Sequence, residues 1–286
     1  MRKRLPKPEL FLRPILCLLL LTAPGTLTAA EPEETPDNDA GARYFITVVE
    51  AAHNEEAWSR KKAVVADLTV RFGGKTRLEG TMRFTPGFRA AEITRADGAT
   101  AGWRKVRHAT DAWISPKDAE FPRGRFHVLT WSYFLAAPFK LDDPGTRLEA
   151  LGLRPLTPER HSLVPAARLT FDEHVGDTPD DWYIVYRQPD TDRLLAMAYI
   201  VTYGKAKENA EKEPHAVRFR QFKKIDGVVL PTHWTFHHWS EEKGLYGEPM
   251  GEVILRNIHF PDDVDRIGHR PGDSRDAPLP PAAEDE

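Results

Sequence analysis

The chain has 286 residues, 41% of them hydrophobic, with Lys+Arg 40 against Asp+Glu 43 and a formal net charge of −3. That length suits a substantial core in one or two domains, and 29% charged with 10% aromatic residues excludes a wholly disordered or low-complexity chain. The charge removes the simplest case for nucleic-acid binding, and a single cysteine excludes a disulfide framework or a multi-cysteine zinc site.

The first residues carry Arg2, Lys3, Arg4, Lys7 and Arg13 against Glu9 alone, then the apolar stretch Ile15 to Leu21, then Thr28-Ala29-Ala30. A basic segment, a short apolar run and small residues are the three parts of a secretory signal, expected over 1–30 with the cut after Ala30. The run falls short of the roughly 20 residues a membrane span needs. Cys17 follows Pro-Ile-Leu rather than small residues, which argues against lipidation. Cleavage would remove five basic residues and one acidic, leaving 35 Lys+Arg against 42 Asp+Glu, a net charge of −7 and no cysteine. Such a chain is held by core burial alone, and thiol catalysis is closed to it. The expected compartment is the periplasm or the exterior. No later run is long enough to span a membrane.

Residues 31–41 are acidic with proline and read as a disordered leader, and 267–286, with four prolines and almost no apolar residues from Gly268, as a flexible tail. Between them 42–266 reads as one domain. It opens with a helix whose apolar stripe is Tyr44, Val48 and Ala52, flanked by Phe45 and Val49. After Trp58 the period becomes two. Val64, Ala66, Leu68, Val70 and Phe72 alternate with polar neighbours, Gly73-Gly74 supplies a turn, and Leu78, Met82 and Phe84 return: a β-hairpin. Pro86-Gly87 and Asp97-Gly98 then bound segments 88–95 and 99–107, and Ala112 to Ser115 is another strand. FHVLTWSYFLAA, Phe126 to Ala137, has helical spacing, and Asp143-Pro144-Gly145 breaks the chain. Arg168–Phe171, Trp182–Arg187, Leu194–Tyr203, Val217–Ile225, Thr232–Trp239 and Glu252–Phe260 read as strands, with Asp226-Gly227 as a further turn. At least nine antiparallel strands, an N-terminal helix and one or two inserted helices give an α+β fold. Its large sheet is expected to curl into a barrel or an open half-barrel, the open form being the reading adopted.

Three segments carry a resemblance: YFLAAPFKLDDPGTRLEALG (133–152), GDTPDDWYIVYRQPDTDRLLAMAYIVTYG (176–204) and FKKIDGVVLPTHWTFHHW (222–239). Together they resemble a family of exported bacterial proteins of unassigned function. The last two also resemble, more loosely, the lipoprotein-carrier (LolA-like) architecture, an unclosed barrel with helices in its concavity. The shared features are the turn Asp190 to Arg193 between two strands and the strand after Asp226-Gly227 to Pro231. The resemblance implies a hydrophobic cavity able to receive an acyl chain or another apolar ligand. It transfers no binding residue, because its motifs are turn chemistry.

His233, His237 and His238 invite a metal reading, but THWTFHHW is β-branched and aromatic and so a strand. On a strand, residues four apart stand roughly 13 Å from one another and the next residue faces away, so no metal or other cofactor is expected. Asp142-Asp143 and Asp180-Asp181 adjoin Pro144-Gly145 and Thr178-Pro179, where acids cap turns. Phosphate-loop, dinucleotide and hydrolase-elbow motifs are absent. The aromatics say more. Trp103, Trp113, Trp131, Phe134, Phe139, Tyr186 and Trp234 are candidates to line a cavity, because a half-barrel too wide for its side chains leaves apolar space. Phe139 to Gly145 would form its rim, with Lys140 beside it to meet an anionic head group. Arg218, Arg220, Lys223 and Lys224 read as a solvated strand face. The leading expectation is a non-enzymatic exported protein binding a lipid or other apolar ligand. The alternatives are a hydrolase using Asp142, Asp143, Asp180 or a histidine from 233 to 238, and a structural or interaction module acting through the sheet surface or the tails, its protein partner unknown.

Overall fold

The computed structural model describes residues 38–106, 109–263 and 266–279; the expected signal and residues 31–37 of the expected leader lie outside them, while 38–41, read as disordered leader, belong to the first helix. Two helices open the chain, α1 (Asn38–His53) and α2 (Glu55–Ser59). Five strands follow: β1 (Val64–Phe72), β2 (Lys75–Phe84), β3 (Ala90–Arg95), β4 (Thr100–Val106) and β5 (Ala109–Ser115). Helix α3 (Gly124–Ala136), extended by a 3₁₀ turn (Ala137–Phe139), leads to β6 (Thr146–Pro155), β7 (Leu163–Phe171), β8 (Tyr183–Arg187) and β9 (Leu194–Tyr199). After the short α4 (Lys207–Ala210) come β10 (His215–Ile225), β11 (Val228–Ser240), β12 (Gly244–His259) and the two-residue β13 (Arg275–Asp276).

All thirteen strands form one antiparallel sheet in the order β13-β5-β4-β3-β2-β1-β12-β11-β10-β9-β8-β7-β6. The chain lays down one arm outward from β1 to β5. It then crosses through α3 to the far edge at β6 and fills the second arm inward to β12, which closes on β1. The two ends of the sheet, β13 with β5 on one side and β6 on the other, do not pair, so the barrel stays open.

Helices occupy the concavity. Phe45, Val49 and Trp58 from α1 and α2 and Val128, Trp131, Phe134 and Leu135 from α3 share one core with the inward residues of both arms. Helix α3 is apolar on most of its circumference, as a helix enclosed between two arms must be. Its Phe134 ring meets Tyr199 of β9 at 5.4 Å and Trp234 of β11 at 6.2 Å, while Gly124 sits against Ala101 of β4. The α1 stripe is rotated from the expected one. Tyr44 is 60% exposed, and Ala42, Phe45, Val49 and His53 face inward. His53, fully buried, fixes the helix end: Nδ1 donates to the Val229 carbonyl (2.6 Å) and Nε2 accepts the Leu194 N–H (3.0 Å). Asn54, in the left-handed region, caps α2 by accepting the Ala57 N–H and donates to the Gly227 carbonyl at 2.9 Å. The Asp226-Gly227 turn, both residues at positive φ, is thereby clamped under the helical corner.

Several boundaries differ from the sequence reading. Strand β6 carries its charges, Arg147, Glu149 and Arg154, on a sheet edge that needs little apolar surface. Strand β9 ends at Tyr199, and β12 starts eight residues earlier than Glu252. The tail expectation fails for residues 268–279. Arg275 and Asp276 pair with Ile114 and Trp113, the Ala277 N–H donates to the Ala112 carbonyl (2.9 Å), and Arg270 meets Asp111 at 2.8 Å.

A second cluster covers the outer face of the second arm and contains Trp182, Tyr186, Ile200 and Trp239. The tip of the β11–β12 hairpin seals it, the Leu245 N–H donating to the Leu156 carbonyl at 2.8 Å. Gly244, at φ 67°, approaches Leu156 so closely that a Cβ would overlap its carbonyl.

A cleft between the two arms

Inside the curl an open cleft of about 2280 Å³ runs along α3 and is bordered by both arms. A row of rings crosses it from β4 to β9. Trp103 lies 5.7 Å from Phe88, Phe88 6.3 Å from Tyr133 on α3, Tyr133 5.8 Å from Tyr183, and Tyr183 6.1 Å from Tyr199. Phe171 of β7 closes on Tyr183 edge-on at 5.9 Å. Burial raises the hydroxyl pKa of Tyr133, Tyr183 and Tyr199, so all three are neutral phenols at physiological pH.

Phe88 owes its place to strain. It sits at φ 50°, a region that costs a bulky residue on the order of 1–3 kcal/mol. Thr85 compensates. Its hydroxyl accepts the Arg89 and Ala90 N–H groups at 3.0 and 3.2 Å, and its carbonyl accepts that of Phe88 at 2.8 Å.

The polar groups of the cleft divide by whether they are already paired. Arg125, buried at the start of α3, holds Asp177 with two bonds of 2.5 and 2.7 Å and Thr110 with a third of 3.0 Å. This clasp joins the last strand of the first arm to the β7–β8 segment of the second, across the opening of the barrel. Asp181 accepts the Thr202 N–H and hydroxyl (both 2.7 Å) and the Thr178 hydroxyl (2.8 Å), so it is spent on the loop after β9. Burial lowers the His127 pKa to about 4, and its neutral ring accepts the Trp131 N–H at 3.1 Å. Lys140 is 6% exposed, with its ammonium paired to Asp143 and set 5.5 Å from the Phe88 ring. By contrast the Trp103 Nε1–H and the Tyr133 hydroxyl are buried with no hydrogen-bond partner among the described residues. Away from this row, Glu50 on α1 faces Asp142, and burial followed by that repulsion raises its pKa to about 7.

The expected cavity residues separate accordingly. Trp103, Trp131, Phe134 and Phe139 border the cleft, as do Lys140 and Asp143 of the expected rim. Trp234 is fully buried beneath it, its indole donating to the Pro231 carbonyl. Tyr186 faces outward and accepts the Trp239 N–H at 2.9 Å. Trp113 packs outward over Gly102, where any Cβ would strike its ring; its Nε1 is also unpaired among the described residues, but Trp113 does not border the cleft. These three are corrected from lining to packing residues. The histidines do not converge: His233 meets Glu252 at 3.1 Å, His237 meets Thr235 at 2.9 Å, and His238 lies against Tyr246. None of Asp142, Asp143 and Asp180 is hydrogen-bonded to any of them. Phe88, Tyr133 and Tyr183 were missed, although Tyr133 lies within the helical string Phe126 to Ala137.

No protein-family model and no curated protein matches the chain. Three solved structures are similar in fold. One is a DUF1329 family protein from Desulfovibrio piger, 13% identical at a TM-score of 0.50, covering 81% of this chain and 96% of that one. A putative outer membrane lipoprotein-sorting protein domain from Vibrio parahaemolyticus is 12% identical at 0.46, covering 78% and 95%. A LolA superfamily protein from Nitrosomonas europaea is 10% identical at 0.47, covering 80% and 97%. At such identities the first shows a shared fold and not a shared chemistry. The architecture is an open antiparallel half-barrel with helices in its concavity, a fold shared with the first of these structures. Among the described residues no helix is long and apolar enough to cross a membrane.

Proposed function

We propose that this chain is an exported binding protein that holds an apolar or lipid-like ligand in the cleft between its arms. The observation that carries the reading is the cleft itself, about 2280 Å³ bordered by aromatic rings from α3 and both arms. Ordinary small-molecule pockets hold about 300–1,000 Å³, so the space suits an extended chain rather than a compact metabolite. The basic, apolar and small-residue segments of residues 1–30 supply the reason to place it outside the cytoplasm.

The test compares two tryptophans. Trp131 borders the cleft and Trp182 belongs to the outer cluster, at 4% and 9% exposure. Titration with a fluorescent fatty-acyl probe should show saturable binding. Trp131→Ala should weaken it about tenfold or more, and Trp182→Ala should lower the melting temperature while leaving it intact. Absence of probe binding to the folded chain, or equal effects of the two variants on affinity, would overturn the reading.

A further inference from the structure

Three hydrogen-bond donors surround Phe88 at one end of the aromatic row. The Trp103 and Tyr133 rings lie 5.7 and 6.3 Å from it, and Lys140 Nζ 5.5 Å from its centre. Trp103, 7% exposed, and Tyr133 each present a buried donor with no partner. An indole N–H can only donate, and leaving it unpaired in the interior is costly. An ammonium has three donors, and Lys140 is paired with the Asp143 carboxylate, a side chain 37% exposed. Two carboxylates act on the Tyr133 hydroxyl, but Asp143 is paired with Lys140 and Asp181 accepts from Thr178 and Thr202, so the groups left unpaired at the corner are donors. Arg89 and Lys105, joined by a 2.8 Å backbone hydrogen bond, border the same cleft and add charge of the sign that draws an anion. Beyond the corner the row continues through Tyr183 and Phe171, whose ring faces suit a hydrocarbon chain.

We infer that this corner is a head-group subsite for the anionic oxygen head of a single-chain amphiphile, with Trp103, Tyr133 and Lys140 donating to it and the chain lying along the aromatic row. The inference rests on the binding reading above and adds the chemistry of the ligand. Carboxylate and phosphate monoester heads share the required acceptors. The arriving anion shares the Lys140 ammonium with Asp143 and takes up the two unpaired donors.

Calorimetric titration of the full chain with dodecanoate, dodecyl phosphate and dodecanol, below micelle formation, tests it and tells the two heads apart. At least one anion should bind about tenfold or more tightly than dodecanol, the scale of one or more hydrogen bonds to a charged group. Tyr133→Phe keeps the ring and should remove about tenfold of that preference with dodecanol unaffected, and Lys140→Met should remove more. Because Tyr133→Phe disturbs no packing, it reads the subsite even where Lys140→Met lowers the melting temperature. Equal affinity for all three probes, or a uniform loss on Tyr133→Phe, would overturn the subsite and leave the binding reading standing. No binding of any probe would overturn both.

Discussion

On the outer face of the second arm, Trp182 and Trp239 meet at 5.7 Å, and each indole N–H has an acceptor: Glu211 at 3.2 Å and Tyr186 at 2.9 Å. On the inner face, Trp103 and Tyr133 flank Phe88 just as closely, yet neither polar end is paired. The residue types are the same and the burial is similar. Hydrogen-bond completion separates these two clusters without being a rule for the whole molecule: Trp131, which borders the cleft, is paired to His127, and Trp113, which does not border it, is unpaired among the described residues. The outer cluster is finished by the β11–β12 tip, whereas the inner row borders a cleft.

The comparison can be broken most forcefully at the core beneath the cleft. Trp234→Ala should cost about 3–5 kcal/mol, on the order of 10 °C in melting temperature, read by calorimetry, because a fully buried indole leaves a cavity. A loss below about 1 kcal/mol would place Trp234 in the receiving surface after all. Acid probes the inner helices next. Burial holds the His53 pKa at about 4 in the fold against 6.5 unfolded, so its share of stability is full above pH 6.5 and falls as pH drops toward 4, by about 3 kcal/mol. Glu50 acts in the opposite sense. Its pKa of about 7 against 4.5 makes the fold hold the proton longer, so stability from it rises as pH falls from 7 toward 4.5. Glu50→Gln should therefore raise the urea midpoint at pH 7, with the gain vanishing near pH 4.5. A gain independent of pH would exclude the carboxylate pair as its cause.

Two phenol deletions give the finest contrast. Tyr186→Phe leaves the buried Trp239 N–H unpaired and should cost about 1–2 kcal/mol. Tyr133→Phe deletes a hydroxyl that is already unpaired, and should change stability by less than about 0.5 kcal/mol or increase it. Equal losses in urea titrations would erase the distinction between the two faces.

The fold was largely legible because its strands announce themselves. The alternation Val64 to Phe72, the Gly73-Gly74 turn at φ 58° and 72°, and the Asp226-Gly227 turn all fold as their chemistry directs. Strand β6 was illegible because an edge strand needs no apolar face, and β13 because two charged residues carry no period. The site was harder for a reason of register. Trp103 pairs with Ala112 and Gly102 with Trp113, so two tryptophans on neighbouring strands face opposite ways. Tyr183 and Tyr186, three apart on one strand, do the same. Alternation tells which residues share a face, and only the folded structure tells which face meets the cleft. Lys140 was read as a rim charge, and the 3₁₀ turn before it tucks its ammonium under Phe88.

The most direct measurement is native mass spectrometry of the chain purified without detergent from its native source, followed by denaturation and analysis of the organic extract. A stoichiometric adduct of defined mass, lost on unfolding and reduced in Trp131→Ala but retained in Trp182→Ala, is the predicted result. A bare protein mass that stays bare after incubation with dodecanoate, dodecyl phosphate and dodecanol would contradict the account.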